Sequence, residues 1–368
     1  MNSTARSNTM TMKRLRLLEC SGTPAEIGRQ YGEAAREDIR KGLDMLMSWL
    51  EHAPYQCRVD RETVCAAAGK YLPNVEQCFP EGVERIRGMA EGSGLSFEEC
   101  FAVSCFTELV GVYPYLAPMC TSFAVTGPAT KDGQTIIGQN VDWHQETPLD
   151  LMRVTYPDGS GHLALTFFCA SSIILTSHGL ANSANLTIAP MGPVTDHTPF
   201  AYYLAEAMRQ PTTDKALEIL KKHSRGVEYF HVASGDGRMA GVESVYDGCT
   251  VLEPQQGVLV HANHYETEAY TKDDVAQMYM PDSFKRADRL RELIREHYGE
   301  LTPELMMQLL ADHEGYPYSI CRHLDADIPY ALSAISAASV VMVPEERTMY
   351  VAAGAPCENG FAEYSVGR

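Results

Sequence analysis

The sequence predicts an α+β fold, a sandwich of two packed antiparallel sheets with helices on the outer faces. Three observations predict this class. Residues 1–119 carry mainly helical patterns, strand-like runs with tight turns begin at Cys120, and helical runs interrupt those strands twice. Because short turns join most neighbouring strands, we expect antiparallel pairing rather than parallel βαβ winding.

The N-terminal region is expected to be helical. Thr23-Pro24-Ala25-Glu26 forms a capping box with proline at the first helical position, and apolar residues continue at helical spacing from Ile27 to Leu46. Further helices are predicted over residues 61–71, over residues 82–90 and from Ser96 onwards. Residues 112–118, punctuated by prolines, are predicted to lead into Met119 as extended chain.

The remaining two thirds of the chain read as strands interrupted by helices. Strands are predicted at 121–126, 134–141, 151–156, 162–168, 173–177, 184–188, 229–233, 239–246, 250–252, 258–261, 334–343 and 348–353. Helices are predicted at 200–209, 213–223, 282–297 and 303–313, the third capped by Asp282 or Ser283. Residues 179–185 are predicted to form a turn that presents polar amides.

Composition limits the classes of protein to which this chain can belong. The chain has 368 residues, 45% of them hydrophobic, and a net charge of −18, which argues against a nucleic-acid partner because phosphate binding needs a basic surface. No window is long and apolar enough for a signal peptide core or a membrane span. We therefore expect a cytoplasmic protein without a membrane partner; a homo-oligomer is compatible with these features.

Cysteine and histidine spacing gives no metal motif. The 11 cysteines contain no CxxC pair, which argues against a disulfide framework or a four-cysteine zinc site. His261 and His264 are three residues apart, and on a strand that spacing would point their rings to opposite faces. The sequence therefore predicts no metal site and no cofactor.

A cysteine opens the first strand of the second region. After the turn Lys131-Asp132-Gly133, the next strand returns Asp142 to the neighbourhood of Cys120. A cysteine thiolate is a strong nucleophile towards an amide or thioester carbonyl. If the bond between Met119 and Cys120 were cut, the freed α-amine would titrate near neutral pH and could activate the thiol. The competing interpretation is packing, because free cysteine behaves as a small hydrophobe.

Six segments, taken in order, carry a resemblance that spans nearly the whole chain. They are Cys120-Thr121-Ser122, Gly138-Gln139-Asn140-Val141-Asp142-Trp143, Asn182-Ser183-Ala184, Val260-His261-Ala262-Asn263-His264, Pro281-Asp282-Ser283 and Tyr318-Ser319-Ile320-Cys321-Arg322, preceded by the helical Gly28-Arg29-Gln30-Tyr31-Gly32. Together they resemble the acyl-coenzyme A:6-aminopenicillanic-acid acyltransferase (isopenicillin N acyltransferase) family. No single segment is specific, whereas the ordered set is.

The resemblance implies an N-terminal-nucleophile (Ntn) hydrolase with an αββα sandwich, made as a precursor that cuts itself. Cleavage between Met119 and Cys120 would separate a helical segment, residues 1–119, from the catalytic core, residues 120–368. The implied catalytic residues are Cys120 as nucleophile, Asp142 as a polar partner near its amine, Asn263 as an oxyanion-hole amide and Arg322 as a charged group organising the site. Trp143, His144, Asn182 and Tyr318 are candidate pocket residues.

Each residue also has a structural interpretation when taken alone. Asp142 could cap a turn, Asn263 could be an ordinary strand-end amide, and Arg322 could belong to a structural ion pair. If Arg322 lies close enough to Asp142, it could hold that carboxylate bidentately.

Three functions remain open at this stage. The first is hydrolysis of a small-molecule amide through an acyl-enzyme, favoured because nothing in the sequence indicates a basic pocket for the phosphates of coenzyme A. The second is acyl transfer from a CoA thioester or an amide to an amine. The third is an unprocessed, non-catalytic relative that binds an amide.

Overall fold

Two β-sheets form the centre of the protein, seen in a computed structural model that describes residues 13–51, 59–110, 119–189, 197–328 and 333–367. Eight strands make one sheet, in the order β1-β4-β5-β6-β7-β8-β9-β10, and six make the other, in the order β11-β2-β3-β12-β13-β14. These strands are β1 Leu17–Ser21, β2 Met119–Gly127, β3 Gly133–Trp143, β4 Leu149–Thr155, β5 Gly161–Phe167, β6 Ala170–Thr176, β7 Leu180–Leu186, β8 Glu228–Ser234, β9 Met239–Val245, β10 Gly248–Leu252, β11 Val258–His261, β12 Ile335–Val343, β13 Thr348–Ala352 and β14 Ala362–Ser365.

The two sheets pack face to face, and helices cover both outer faces. Strands β2 and β3 contact β7 and β8 across the interface between the sheets. The helices are α1 Pro24–Ala34, α2 Arg36–Glu51, α3 Arg61–Gly69, α4 Leu72–Cys78, α5 Pro80–Ser93, α6 Phe97–Ser104, α7 Phe106–Val110, α8 Phe200–Met208, α9 Thr213–His223, α10 Ala276–Tyr279, α11 Asp282–Glu296 and α12 Pro303–Leu309. Helices α8 and α9 pack on the eight-stranded sheet, and α11 and α12 on the six-stranded sheet. The predicted αββα sandwich is confirmed.

The hairpin of β2 and β3 fixes the position of the candidate nucleophile. Gly127 and Gly133, both at positive φ, bound the turn between these strands. The resulting register places Cys120 opposite Val141 and Met119 opposite Asp142. The turn therefore brings Asp142 next to the proposed cleavage bond, as the sequence predicts.

Helices α1 and α5 approach each other unusually closely through glycine. A Cβ on Gly28 would lie 1.9 Å from the Arg85 carbonyl oxygen, and one on Gly88 would lie 2.0 Å from the Ala25 carbonyl oxygen. Only glycine lets two helix backbones come this near. The Gly28-Arg29-Gln30-Tyr31-Gly32 segment of the resemblance is therefore a packing motif in this structure. The predicted Thr23 capping box beside it is present, with both reciprocal hydrogen bonds formed.

Several elements differ from the sequence prediction. The single helix expected up to Leu46 ends at Ala34 and restarts at Arg36, and α4, α7, β1 and β14 were not predicted. Residues 180–186 form strand β7 rather than a turn, because all seven pair with β8. Towards β6, Asn182 Oδ1 accepts the Ile174 N–H and its Nδ2 donates to the Ser172 carbonyl. The lead-in predicted at residues 112–118 falls outside the described residues.

The N-terminal region is joined to the core through both a sheet and a hydrophobic cluster. Strand β1 pairs with β4 in parallel, the exception to the predicted antiparallel pairing, and extends the eight-stranded sheet. Buried residues of α1, α2 and α6 share one apolar cluster with β4 to β9. The described residues of this region, 13–51 and 59–110, are thus packed as part of the sandwich. In the described ranges, no helix combines the length and apolarity needed to cross a membrane.

Candidate active site

Cys120 is enclosed and held through its backbone. It is the second residue of β2, and only 4% of its surface is exposed. Its N–H donates to Asn263 Oδ1 at 3.0 Å, and its carbonyl oxygen accepts a hydrogen bond from Arg286 Nη1 at 2.6 Å. Polar side chains therefore hydrogen-bond both backbone groups of Cys120, the residue that the family resemblance implies as nucleophile.

The thiol of Cys120 is strongly biased towards its neutral form. Burial, followed by the negative charge of Asp142, raises the pKa of Cys120 to about 12. The Arg286 guanidinium, the Asp142 backbone N–H and the Gln139 side-chain amide act in the opposite direction and limit this rise in the thiol pKa. At neutral pH the thiol of the uncut chain is consequently protonated, and a nucleophilic role requires a base.

Asn263 meets Cys120 with its carbonyl oxygen rather than its amide nitrogen. Its Oδ1 accepts from Cys120 and from Arg286 Nη2 at 2.9 Å, while its Nδ2 donates to the Leu186 carbonyl at 2.8 Å. The Asn263 backbone N–H donates to Ser283 Oγ at 2.7 Å. With its side chain fully buried, Asn263 is fixed as an acceptor for whatever nitrogen Cys120 presents.

Arg286 is the main residue that the sequence analysis missed. Its side chain is 1% exposed and donates to Asp282 Oδ2 at 2.8 Å, to the Cys120 carbonyl, to Thr121 Oγ1 at 2.7 Å and to Asn263 Oδ1. The planar guanidinium can serve these acceptors together because its five N–H groups point in fixed directions. The i, i+4 spacing of Asp282 and Arg286 on a helix was an available signal.

Asp282 does not cap α11, contrary to the sequence prediction. The N-cap residue is Pro281 and it makes no side-chain cap bond, and Ser283 bonds Asn263 and His264 instead. The Asp282 carboxylate binds the guanidinium groups of Arg286 and Arg322. These two positive charges, opposing the effect of burial, hold the pKa of Asp282 below its usual value. The Asp282 carboxylate therefore pairs with the buried guanidinium groups of Arg286 and Arg322 instead of capping the helix.

Arg322 contacts Asp282 directly and Asp142 only at longer range. Its Nη2 pairs with Asp282 Oδ2, and its Nε lies 3.8 Å from Asp142 Oδ2. Asp142 Oδ1 accepts a hydrogen bond from Ser336 Oγ at 2.7 Å, whereas among the described residues Asp142 Oδ2 has no hydrogen-bond partner. The bidentate contact of Arg322 with Asp142, which depended on their close approach, is not formed, because Arg322 Nη2 pairs with Asp282 and Nε stays 3.8 Å from Asp142 Oδ2.

The carboxyl of Asp142 is costly to ionise in this position. Complete burial raises the pKa of Asp142 to about 6, and the positive charges of Arg322 and Arg286 prevent a larger rise. Near neutral pH most of this group is ionised, so a negative charge faces the N-terminal end of β2. Such a charge favours a protonated amine at that place over a thiolate.

This burial predicts a measurable pH dependence of stability. The folded chain retains a proton on Asp142 that the unfolded chain releases above pH 3.8, so stability falls as pH rises from 3.8 to about 6. In an uncut Cys120→Ala protein, we expect Asp142 to lower the free energy of unfolding by about 3 kcal/mol over this rise in pH. Asp142→Asn in the same background should abolish that decrease. Urea unfolding between pH 4 and pH 7 measures it; parallel pH curves for the two proteins would contradict the prediction.

A mainly apolar cavity lies beside Cys120. About 480 Å³ between its walls is free of protein atoms, part of it open to solvent, and the centre of a water molecule could occupy about 50 Å³ of this space. Its walls are formed by Thr107, Cys120, Gln139, Val141, Phe167, Ser172, Ile173, Ala184, Asn185, Leu186, Phe200, Glu228 and Phe230. Gln139 connects this wall to Cys120, because its Oε1 accepts the Ala184 N–H at 2.7 Å while its amide faces the Cys120 sulfur.

Asn185 is a second residue that the sequence analysis left unassigned. It lines the cavity, is 2% exposed and accepts a hydrogen bond from Ser122 Oγ at 2.5 Å through its Oδ1. Within the described part of the chain, its Nδ2 has no hydrogen-bond partner. A buried donor without a partner is costly, and a ligand oxygen in the cavity could satisfy it.

The four candidate pocket residues do not line this cavity. Trp143 packs in the core against Trp49, and Asn182 bridges β6 and β7. His144 accepts the Glu146 N–H in the turn after β3. Tyr318 lies under the Arg322 guanidinium, 5.1 Å from ring centre to carbon, and donates to Asp325. Tyr318 thus supports Arg322 from outside the cavity.

The histidines considered for metal binding have carboxylate partners instead. His261 Nε2 lies 3.0 Å from Glu243 Oε1, and His264 Nε2 lies 3.1 Å from Glu266 Oε1. Their rings are stacked 6.4 Å apart rather than on opposite faces, because β11 ends at His261 and the strand alternation stops there. Side chains that could hold a metal lie together elsewhere, around the loop that carries Arg322.

Comparison with known proteins identifies the family. Residues 129–358 match the family model described as acyl-coenzyme A:6-aminopenicillanic acid acyl-transferase. The chain belongs to this family. The matched range includes Asp142, Asn185, Asn263, Arg286 and Arg322, and it begins downstream of Cys120.

One relative matches this acyl-transferase family member over most of the length of the chain. It is the acyl-coenzyme A:6-aminopenicillanic-acid-acyltransferase 40 kDa form of Emericella nidulans, 25% identical over 312 residues, which are 82% of this chain and 83% of the relative. Among solved structures, a mutant form of the conjugated bile acid hydrolase of Clostridium perfringens matches with a TM-score of 0.44 and 12% identity, over 67% of this chain and 97% of that one. Penicillin V acylase of Agrobacterium tumefaciens matches with a TM-score of 0.45 and 13% identity, over 64% and 83%.

Proposed function

We propose that this acyl-transferase family member is a self-processing amidohydrolase that cleaves a small-molecule amide with Cys120 as its nucleophile. The observation that carries the proposal is the environment of Cys120. Asn263 Oδ1 accepts a hydrogen bond from its nitrogen, Arg286 donates to its carbonyl oxygen, and its side chain lines the cavity. Any buried residue needs partners for its backbone groups, but here the nitrogen that cleavage would free already faces a side-chain acceptor, and the thiol lines the cavity.

Cleavage after Met119 would supply the base that the thiol lacks. The new α-amine of Cys120 would have a pKa of roughly 7.7–8.0, far below that of the buried thiol. Asn263 Oδ1 already accepts from this nitrogen, so the amine would stay oriented, and ionised Asp142 would favour its protonated state. Transfer of the thiol proton to the amine would then give a thiolate beside an ammonium group.

The proposed reaction proceeds through a thioester. The Cys120 sulfur attacks the substrate carbonyl carbon, and the carbonyl π electrons move onto oxygen. The C–N bond then breaks, the leaving amine takes the proton held by the α-ammonium, and the acyl group remains on sulfur. Water, deprotonated by the same amine, attacks the thioester and releases the carboxylic acid and the thiol.

The unpartnered amide of Asn185 supports a role in stabilising the oxyanion. Asn263, which the family resemblance implies for this role, presents its oxygen to Cys120 and donates with Nδ2 to Leu186. Asn185 Nδ2 is the buried donor on the cavity wall that has no partner among the described residues. We therefore assign an oxyanion contact to Asn185 and the holding of the amine to Asn263.

The predicted effect of Asn185→Ala is a fall in kcat of about 10²–10³-fold, because one preplaced donor is lost in the transition state. Steady-state hydrolysis of a turned-over amide by the processed protein measures the loss. Asn182→Ala is the matched control, since Asn182 is equally buried but lies outside the cavity. An effect on KM alone, or an equal loss in the control, would remove Asn185 from this role.

The cavity favours an apolar acyl group. Aromatic and aliphatic side chains form most of its wall, and burial raises the pKa of Glu228, at the wall, to about 7. Burial also raises the pKa of neighbouring Glu108, to about 8. A substrate carboxylate placed beside these groups would be repelled or would need a proton. We therefore expect aryl or aliphatic acyl amides to be preferred over acyl chains that end in a carboxylate.

Acyl transfer is the second candidate, because the matching family model and the curated relative are both described as acyltransferases. The two reactions share the acyl-enzyme and differ in what attacks it. Added amines at increasing concentration would divert the acyl group into new amides if transfer dominates, whereas hydrolysis yields the free acid throughout. Acyl-CoA thioesters should be offered beside amides as acyl donors in the same assay.

The first test is the intact mass of the purified protein under denaturing conditions. Two chains, one ending at Met119 and one beginning at Cys120, are expected, together with turnover of at least one apolar acyl amide. A single chain without turnover would contradict the proposal and favour a non-catalytic protein that binds an amide. Turnover by an uncut chain would contradict the role of the α-amine and leave Cys120 to be tested as nucleophile alone.

A further inference from the structure

Four metal-binding side chains converge next to the loop that carries Arg322. They are His313, Cys321, His323 and Cys357, and their candidate ligand atoms all lie within 4.8 Å of one another. His323 Nε2 lies 3.0 Å from His313 Nε2, 3.5 Å from Cys321 Sγ and 3.4 Å from Cys357 Sγ. His313, Cys321 and His323 lie in the loop between α12 and β12, and Cys357 follows β13, so two separate segments of the chain meet at one point.

The separations match the ligand shell of a tetrahedral zinc ion. Zinc bonds of about 2.0–2.1 Å to nitrogen and about 2.3 Å to sulfur put two nitrogens about 3.3 Å apart and a nitrogen and a sulfur about 3.6 Å apart. The observed nitrogen–nitrogen distance of 3.0 Å and nitrogen–sulfur distances of 3.4 and 3.5 Å are within a few tenths of an ångström of these values. Few other interactions favour two imidazoles and two thiols at one point.

We propose that His313, Cys321, His323 and Cys357 bind one Zn²⁺ ion. Both thiols lose their protons to solvent on binding, and the two thiolates neutralise the dication, so the loaded site carries no net charge. With four protein ligands no position remains for water or substrate, which makes this a structural site rather than a catalytic one. The Glu358 carboxylate lies 3.8 Å from His323 Nδ1, the ring nitrogen that would not bind the ion.

The site would fix the loop that holds Arg322. Arg322 lies between two ligands, Cys321 and His323, and its side chain points the other way, to Asp282 and Asp142. The loop is also held by strand β3, where Asn140 Nδ2 donates to the Leu310 and Ile320 carbonyls at 2.8 Å. Zinc would therefore cross-link the loop between α12 and β12 to the segment that follows β13, and limit movement of the Arg322 guanidinium, which pairs with Asp282 and lies near buried Asp142.

Metal binding can be measured without reference to enzyme activity. Untagged full-length protein, stripped with a chelator and reloaded with Zn²⁺, should retain about one zinc per chain after gel filtration, as determined by mass spectrometry of the element. Titration with Co²⁺ should give the visible bands of tetrahedral cobalt and a sulfur-to-cobalt charge-transfer band in the near ultraviolet. Octahedral cobalt spectra, or no retained zinc, would overturn the proposal.

Matched variants locate the ion. His313→Ala, at an exposed position, should lower the affinity for zinc at least about 10-fold. Cys357→Ser should remove the contribution of one sulfur to the charge-transfer band of the cobalt-loaded protein. His178→Ala and Cys78→Ser, both at exposed positions, should retain zinc like the parent. Loss of two hydrogens from the intact mass, restored by reductant, would instead show a Cys321–Cys357 disulfide and overturn the site. Zinc that persists in both ligand variants would also do so.

Discussion

Replacing Cys120 with alanine should leave one uncut chain of 368 residues and lower amide turnover by about 10⁴-fold or more. In the proposed mechanism, the variant loses both the sulfur that attacks the substrate and the group that would attack the Met119 carbonyl during self-cleavage. Intact mass and single-substrate kinetics, measured on the same preparations of parent and variant, test both effects. Cys120→Ser should retain part of the cleavage, because a hydroxyl can still attack but is a weaker nucleophile.

The matched control for this experiment is another buried thiol. Cys100→Ala removes a cysteine that is also fully enclosed but lies in α6, away from the cavity. We expect this control to be cut and to turn over substrate as the parent does, with at most a modest loss of stability. Cleavage of Cys120→Ala at the same bond and rate as the parent would show that another group performs the cut.

Replacing Arg286 with methionine should lower the free energy of unfolding by about 3–5 kcal/mol and prevent or strongly slow cleavage. The variant leaves the Cys120 carbonyl and Asn263 Oδ1 without their buried donor, and it removes one of two cations beside Asp282. Arg286→Lys should recover part of the stability but little of the cleavage, since an ammonium cannot reach these groups in one geometry. Urea unfolding and intact mass measure the two effects.

The same substitution at an exposed position of α11 separates this effect from loss of helix stability. Arg295→Met lies on the same helix and faces solvent, so its effect should stay within about 0.5 kcal/mol. Equal effects of Arg286→Met and Arg295→Met would mean that the buried contacts of Arg286 contribute nothing. Normal cleavage in a destabilised Arg286→Met protein would restrict Arg286 to a structural role.

The sequence was most informative where function depends on neighbouring strands. The Lys131-Asp132-Gly133 turn, at which Gly133 takes a positive φ, determines the β2–β3 register and so the approach of Asp142 to Met119. Strand periodicity then predicts which stretches are buried. Both signals are local in the chain, and tertiary packing did not override them.

Sequence reasoning was weaker for side chains that act across elements. It assigned Asp282 to a helix cap, although the carboxylate binds Arg286 and Arg322, which are brought to it from α11 itself and from a distant loop. It also placed Asn182 in a turn, although the strand β7 continues through it. In both cases a short polar side chain has a common local role, and only the neighbouring element reveals the different one.

By itself, the sequence determined most of the strands and helices and their order, the hairpin that carries Cys120 and Asp142, and the family, because periodicity, turn residues and ordered motifs are local properties of a chain. Only the tertiary structure decided that Arg286 holds Cys120, that Asn185 faces the cavity, and that His313, Cys321, His323 and Cys357 meet. The physical reason is that hydrogen bonding and the cost of burying charge depend on groups brought across from other elements. Spacing along the chain does not encode those distances.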